Sequence, residues 1–216
     1  MHPIQFLIEN LMLPLLKLFY SVSHSYAFAI MILTLVVKII FYPLNKKQFI
    51  SMKKMSELQP MFKKIQAKFK DEPQKMQAEM MKLYKTNGVN PLSGCLPLLI
   101  QLPFLIALFY TLTSPAFQNM LAVSSANATF LWISNLVKPD HFYILPALLG
   151  ISTWLSQKTM TVDPQQAKMF MFMPFLMVII SLNFPAGVLI YWNLSQILTI
   201  AQQVYMNKKY EKTKIA

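Results

Sequence analysis

The sequence predicts an all-α membrane protein: five transmembrane helices, a cytoplasmic helical hairpin, and an N-terminal amphipathic helix lying in the interface. Three observations predict it. Hydrophobic residues make up 55% of the 216 positions and charged residues 13%, a balance typical of membrane chains rather than soluble domains. The apolar residues gather into five runs of near-spanning length, one of which, residues 26–44, is long enough for a complete crossing. The net charge of +12 comes entirely from lysines, and these crowd the segments on one side of the runs.

In chain order, residues 1–22 place Ile4, Leu7, Ile8, Leu11, Leu15 and Leu18 at helical spacing, with Glu9, Asn10 and Lys17 interrupting the pattern. Two charges argue against a crossing and for an interfacial helix. Residues 23–45 hold the first span. Residues 46–90 are a different material: Asn45 to Asn87 carries eleven lysines and four of the eight acids, with Met52, Met55, Leu58, Phe62, Ile65 and Phe69 spaced three or four apart. Asp71-Glu72-Pro73 signals a turn, after which Met76, Met80, Leu83 and Tyr84 resume the stripe. This predicts an antiparallel helical hairpin in water, broken or bent at Pro60 and ended by Asn87-Gly88. Its few apolar anchors and many lysines predict a mobile docking element, with Lys53, Lys54, Met55, Lys63 and Lys64 as its surface.

Residues 91–207 supply four further spans: 94–112, the short runs 141–155 and 169–184, and 187–204. A run of about sixteen residues rises only about 24 Å, less than the roughly 30 Å hydrocarbon core, so the short helices should thin the bilayer. Pro97, Pro103, Pro146 and Pro174 fall within spans, and Phe130 to Ile133 predicts a short interfacial helix with an aromatic anchor. Residues 183–187 are a tight connection, and 208–216 a basic tail. With the lysine-rich segments inside, the N-terminus lies outside and the C-terminus in the cytoplasm. The N-terminus shows no basic n-region or cleavage site, so no removable signal peptide is expected.

The chemistry is sparse. The lone Cys95 permits neither an internal disulfide nor a thiolate metal cluster. His2, His24 and His141 have no nucleophile or carboxylate at useful spacing, Ser93 is in no nucleophile elbow, and no phosphate-binding glycine loop exists. No catalytic residue, metal site or cofactor is predicted, and an enzyme is rejected. What remains is Lys38, an ammonium inside an apolar run, with every carboxylate of the chain outside those runs. A central lysine costs about 2.5–3.5 kcal/mol on insertion scales. Either it snorkels to the interface on its four-carbon stem, or it lines a wet cavity and meets a negative group from another molecule. Thr34, one turn before it, with Gln101, Asn193, Ser195 and Gln196 in other spans, suggests a hydrated groove. Each alone is more often a helix–helix hydrogen bond. The clustered methionines Met160, Met169, Met171, Met173 and Met177 offer an adaptable apolar surface. A small anion transporter or channel subunit using Lys38 is the alternative on these grounds, although no internal repeat supports it.

Several strings carry a family resemblance. Lys38-Ile-Ile-Phe-Tyr-Pro-Leu-Asn, Ser51-Met-Lys-Lys-Met followed by Leu58-Gln-Pro, and the stretch from Tyr84 to Pro103 closely resemble the YidC membrane-protein insertases of the Oxa superfamily. So do Tyr143-Ile-Leu-Pro, Asp163-Pro-Gln-Gln, and Asn183-Phe-Pro-Ala-Gly with Tyr191-Trp-Asn. The resemblance implies a hydrophilic groove open to cytoplasm and lipid, which accepts hydrophobic segments of nascent proteins and releases them into the bilayer, Sec-independently or beside the Sec translocon. Its implied partners are nascent membrane proteins and phospholipid, with the Sec translocon, the ribosome and signal-recognition-particle components beyond them; no specific nucleic-acid sequence is implied. Lys38 stands where the family usually has an arginine, keeping the charge but losing the planar fork. Thr34, Gln101, Leu102 and Trp192 match groove and substrate-contact positions, with Tyr191 adjoining them. Many relatives begin with a further span and a large periplasmic domain, or with a lipid-modified cysteine, which this sequence lacks.

Overall fold

In a computed structural model of the chain, residues 5–6, 8–90, 96–123, 129–159 and 171–214 are described. Helices account for most of them, and their only β-type pairing is one isolated bridge. His2, Ser93, Cys95, Met160, the Asp163 motif, Lys168 and Met169 lie outside the described residues.

A π-helical turn, Ile8–Met12, leads into α1, Leu13–Ser23. Met12 and Leu16 are buried against the core, while Glu9, Asn10 and Lys17 are exposed together with Leu11 and Leu18 of the expected stripe, so the face turned to the protein is not the one the spacing marked. His24 closes it in the left-handed conformation (φ 53°), its N–H donating to the Tyr20 carbonyl at 2.8 Å.

Helix α2, Tyr26–Glu57, is 32 residues long and runs without a break through Pro43. The predicted boundary at residues 45–46 is therefore a change of surroundings and not a helix end. At 1.5 Å per residue the helix reaches about 48 Å, beyond any hydrocarbon core. Only 28% of its most apolar window is buried inside the protein, so that face needs an apolar exterior. Among the described residues, α2 is the one helix long and apolar enough by itself to cross a bilayer; α5, Leu96–Thr113, and α6, Pro115–Val123, form a pair bent by 59° that together also could.

The break predicted at Pro60 falls at Leu58, which ends α2 and opens α3, Gln59–Lys68. Pro60 occupies the first turn of α3, where a missing N–H leaves no bond unmade. Helix α4, Pro73–Thr86, packs on α3 around a small cluster of Met55, Leu58, Phe62, Met80, Tyr84 and Val89. Gly88, at φ 61°, ends that segment. Three of the four prolines predicted within spans also prove to be first-turn residues: Pro97 in α5, Pro146 in α7, Ile144–Thr159, and Pro174 in α8, Met173–Ser181. Of the four, Pro103 sits in a helix interior, as Pro43 does in α2.

Phe130 to Ile133 is not the helix expected from its apolarity. Phe130 and Ile133 exchange two backbone hydrogen bonds of 2.8 Å around Leu131, which holds φ 51°. Four residues that close on each other in this way cannot also make helical bonds. This turn belongs to a structured cap over one end of the bundle. Asp140 is 3% exposed and accepts from the Trp132 indole at 3.2 Å and from the N–H groups of Phe142 and Leu145 at 3.1 and 2.8 Å. It thereby satisfies donors at the entry to α7. The first N–H groups of α9, Ala186–Lys214, are met by the Lys138 and Leu136 carbonyls at 2.8 and 2.9 Å.

Helix α9 is the hub, packing against α7, α2 and α5. Gly187 makes its first turn fit: a Cβ there would stand 2.8 Å from Leu112 Cδ1 and 3.3 Å from the Leu136 carbonyl. The main core runs from Leu16 through Ile30, Leu33, Leu108 and Leu112 to Leu189. Beyond that core, toward the lysine-rich end, the packing between α2, α5 and α9 opens.

Candidate functional site

The opening is a cleft whose one wall is the lower half of α2, from Val37 through Asn45 and Gln48 to Met52; α5 adds Gln101 and Phe104, and α9 adds Thr199, Gln202, Gln203 and Met206. On α2 the lining residues recur every three or four positions, so they share one helical face. The cavity measures about 60 Å3, room for a few waters at roughly 10–15 Å3 each. None of its lining residues is acidic.

Lys38 points into this space. Its Nζ donates to Thr199 Oγ1 at 2.8 Å, and the Thr199 hydroxyl in turn donates to the Ser195 carbonyl at 2.8 Å. The threonine proton is thus committed to the backbone, which leaves its lone pairs facing the ammonium. One turn further along α9, the Ser195 hydroxyl reaches Gln101 Oε1 at a loose 3.4 Å. Tyr191, Ser195 and Thr199 therefore form an i, i+4, i+8 ladder leading to the charge. An ammonium has three donors; with one engaged by Thr199, the others are available to acceptors in the cleft. The Lys38 side chain is thus held by a hydroxyl on a neighbouring helix.

Four other polar atoms in this region are buried without a hydrogen-bond partner: Gln48 Nε2, Gln101 Nε2, Tyr191 Oη and Asn193 Oδ1. Such orphans cost about 1–3 kcal/mol each. Gln48 and Gln101 line the cleft beside Lys38.

Of the residues singled out from sequence, Lys38 and Gln101 come together in the cleft. Thr34 does not line it; the side chain is fully buried, and its hydroxyl donates to the Ile30 carbonyl at 2.7 Å. Leu102 is exposed on the outside of α5. Tyr191 and Trp192 are buried in the upper half of α9, with Trp192 beside Phe184. Asn193 and Gln196 turn toward α7: the Asn193 amide donates to the Leu145 and Leu189 carbonyls, and Gln196 to Thr153 Oγ1 at 3.3 Å. They join helices rather than line the cleft. Among the expected docking residues Lys54, Lys63 and Lys64 are exposed, but Met55 is buried under Phe62 and Lys53 lies 5.6 Å from the Tyr210 ring centroid. Thr199, Gln48, Gln202 and Gln203 were missed. Their signal was available: each falls near the helical face already marked by Lys38 or Ser195.

Residues 18–213 match the family described as 60Kd inner membrane protein. A membrane protein insertase YidC of Geotalea daltonii is 42% identical over 196 residues, covering 89% of this chain and 36% of that protein. Its counterpart in Helicobacter pylori is 43% identical over 204 residues, 93% of this chain and again 36% of the relative. The chain thus spans about a third of the length of these relatives. A crystal structure of an active YidC insertase with its first transmembrane domain resolved superposes with a TM-score of 0.75 at 26% identity, over 91% of this chain and 46% of that one. A match running through nearly the whole sequence, at this level of identity and with the same fold, is one of descent: the chain belongs to the 60Kd inner membrane protein family, that of the YidC insertases.

Proposed function

We propose that this chain is a non-catalytic membrane-protein insertase and chaperone, accepting hydrophobic segments of nascent proteins at the cleft around Lys38 and releasing them into lipid. The observation that carries the reading is the Lys38 ammonium held by Thr199 in a cleft with no acidic lining residue. Helices α2, α5, α7, α8 and α9 are then five spans, with the N-terminus outside, α1 in the interface, and α3 with α4 forming a cytoplasmic hairpin. The lysine distribution and the exposed apolar faces of these helices support that topology. Burial of an apolar guest at about 25 cal/mol per Å2 supplies the driving force without a nucleotide. The barrier lies in moving a short polar tail, which a hydrated cleft and a fixed positive charge both lower. Nascent membrane proteins and phospholipid are the partners the reading requires; the Sec translocon, ribosome and signal-recognition-particle components follow by kinship.

The test is insertion into proteoliposomes of single-span guests whose translocated tails carry zero, one or two aspartates. Lys38→Ala should slow the acidic guests most, and Lys38→Glu should slow them further through repulsion. Equal rates for both variants and the parent chain across the series would refute the role given to this charge.

A further inference from the structure

The orphaned amide of Gln48 is the observation that the reading above leaves unused. Gln48 is 5% exposed, its Nε2 has no hydrogen-bond partner, and it lines the same cleft as Lys38. Gln101 is the weaker candidate, because the Tyr191 hydroxyl is close enough for a small adjustment to pair them. Gln48 shares the cleft with Asn45, Gln202 and Gln203, and its Nε2 is bonded to none of them. A buried neutral donor facing a cavity calls for an acceptor from outside the fold. The cleft already has a charge for anions; a neutral amide suits a neutral acceptor. The one neutral acceptor that every polypeptide guest brings, whatever its side chains, is the peptide carbonyl.

We infer that Gln48 is a second guest-binding residue, donating its side-chain amide to a backbone carbonyl of an extended polypeptide tail whose acidic residue sits at Lys38. This inference rests on the insertase reading and specifies what that site recognises. The spacing makes it quantitative. Ten residues of α2 separate Lys38 from Gln48, about 15 Å along the helix axis. An extended chain rises about 3.3 Å per residue, so the carbonyl at Gln48 belongs to a residue four or five positions from the acidic one. A tail leaving water loses the hydration of its peptide groups. A donor fixed on the wall replaces part of that hydration without regard to sequence, which a tolerant acceptor of varied guests requires.

The experiment uses the full chain in vesicles of phosphatidylethanolamine and phosphatidylglycerol. The guests are synthetic single-span proteins with one tail aspartate and a backbone amide-to-ester replacement moved along the tail one residue at a time. An ester carbonyl is a poorer acceptor than an amide. With the parent chain, insertion should fall several-fold only when the ester lies four or five residues from the aspartate. In Gln48→Met, which keeps length and loses the donors, the all-amide guest should insert several-fold more slowly and the ester position should cease to matter. Gln48→Asn should recover part of the rate. Thermal unfolding in detergent separates this from a structural role: Gln48→Met should be at least as stable as the parent, since it removes an uncompensated buried donor. Insertion of the all-amide guest by the parent with an equal rate for Gln48→Met overturns the inference and leaves the insertase reading standing. A less stable Gln48→Met that keeps the ester dependence overturns it too, assigning Gln48 to the fold or to bound water. Failure of the parent to insert any guest overturns both.

Discussion

Lys38 Nζ lies 2.8 Å from Thr199 Oγ1, a contact that joins α2 to α9 across 161 positions of the chain. It explains how an ammonium persists in an apolar setting without an internal counter-ion. The hydroxyl accepts from the lysine while its own proton goes to the Ser195 carbonyl, so no donor faces another donor. The bond also fixes the charge against one wall of the cleft. Thr199→Val keeps the shape and removes the acceptor. A hydrogen bond to a charged group contributes about 1.5–3 kcal/mol, so Thr199→Val should destabilise the protein by that order in detergent unfolding. In a Lys38→Met background the same change should cost under about 1 kcal/mol, because the hydroxyl then has only its backbone bond to lose. Additive effects in this double-mutant cycle would show that the two residues do not interact.

Helices α7 and α8 approach each other closely at Gly150. A Cβ on Gly150 would lie 2.5 Å from Val178 Cγ2 and 3.6 Å from the Pro174 carbonyl. A branched valine cannot retreat by rotating one torsion without meeting its own helix. Gly150→Ala should therefore lower stability by about 1–3 kcal/mol, and Val178→Ala in the same chain should restore part of the loss. The combination is informative because each substitution alone is destabilising. Thermal melting of the two singles and the double checks it; a double variant no better than Gly150→Ala would relocate the clash elsewhere.

How much of this was legible beforehand depends on what each residue's signal measures. Periodicity marks burial, so Leu58, Phe62 and Tyr84 could be placed on an inward face from spacing alone, and all three are buried. Lys38 was conspicuous because a charge within an apolar run is costly. Asn193 and Gln196 carried the same polar signal as Gln101, yet they serve α7 rather than the cleft. Polarity within a span reports a hydrogen bond and is silent on its direction. Gln48 was hidden for the opposite reason. It sits among lysines, where a polar residue attracts no notice, and only the continuity of α2 through Pro43 brings it beside the cleft. The turn at residues 130–133 was misread since four apolar residues are too few to have a period.

Asp140 should prove indispensable to the capped end of the bundle. Three donors converge on its buried carboxylate: the Trp132 indole and the N–H groups of Phe142 and Leu145. Asp140→Ala strands all of them, at about 1–3 kcal/mol for each that water cannot reach. Asp140→Asn retains one oxygen and should lose less. Trp132 gives a direct readout, since release of its N–H should shift the indole fluorescence in parallel with the fall in melting temperature. Unchanged fluorescence in Asp140→Ala would mean that the indole is anchored by something other than this carboxylate.

The pair α3 and α4 should open independently of the rest of the chain. Six buried residues hold it together, whereas the main core extends from Met12 to Trp192. Its two ion pairs, Lys75 with Glu72 and Lys82 with Glu79, are exposed and local to α4 or its entry, so they add little. Phe62 is fully buried, and its ring lies 5.0 Å from that of Tyr84. Phe62→Ala removes the fully buried ring of this small cluster, a change of about 3–5 kcal/mol in a well-packed core, which is enough to melt so small a unit. Hydrogen exchange in nanodiscs should show low opening free energies across residues 59–86 in the parent chain, and near-complete loss of protection there in Phe62→Ala. Protection in α5, α7 and α9 should not change, because the two clusters share no buried residue. Loss of protection spreading into α9 would instead mean that the Lys53–Tyr210 and Phe49–Tyr210 contacts couple the pair to the helix bearing Thr199. Docking at the exposed face of Lys54, Lys63 and Lys64 would then reach the cleft through α9.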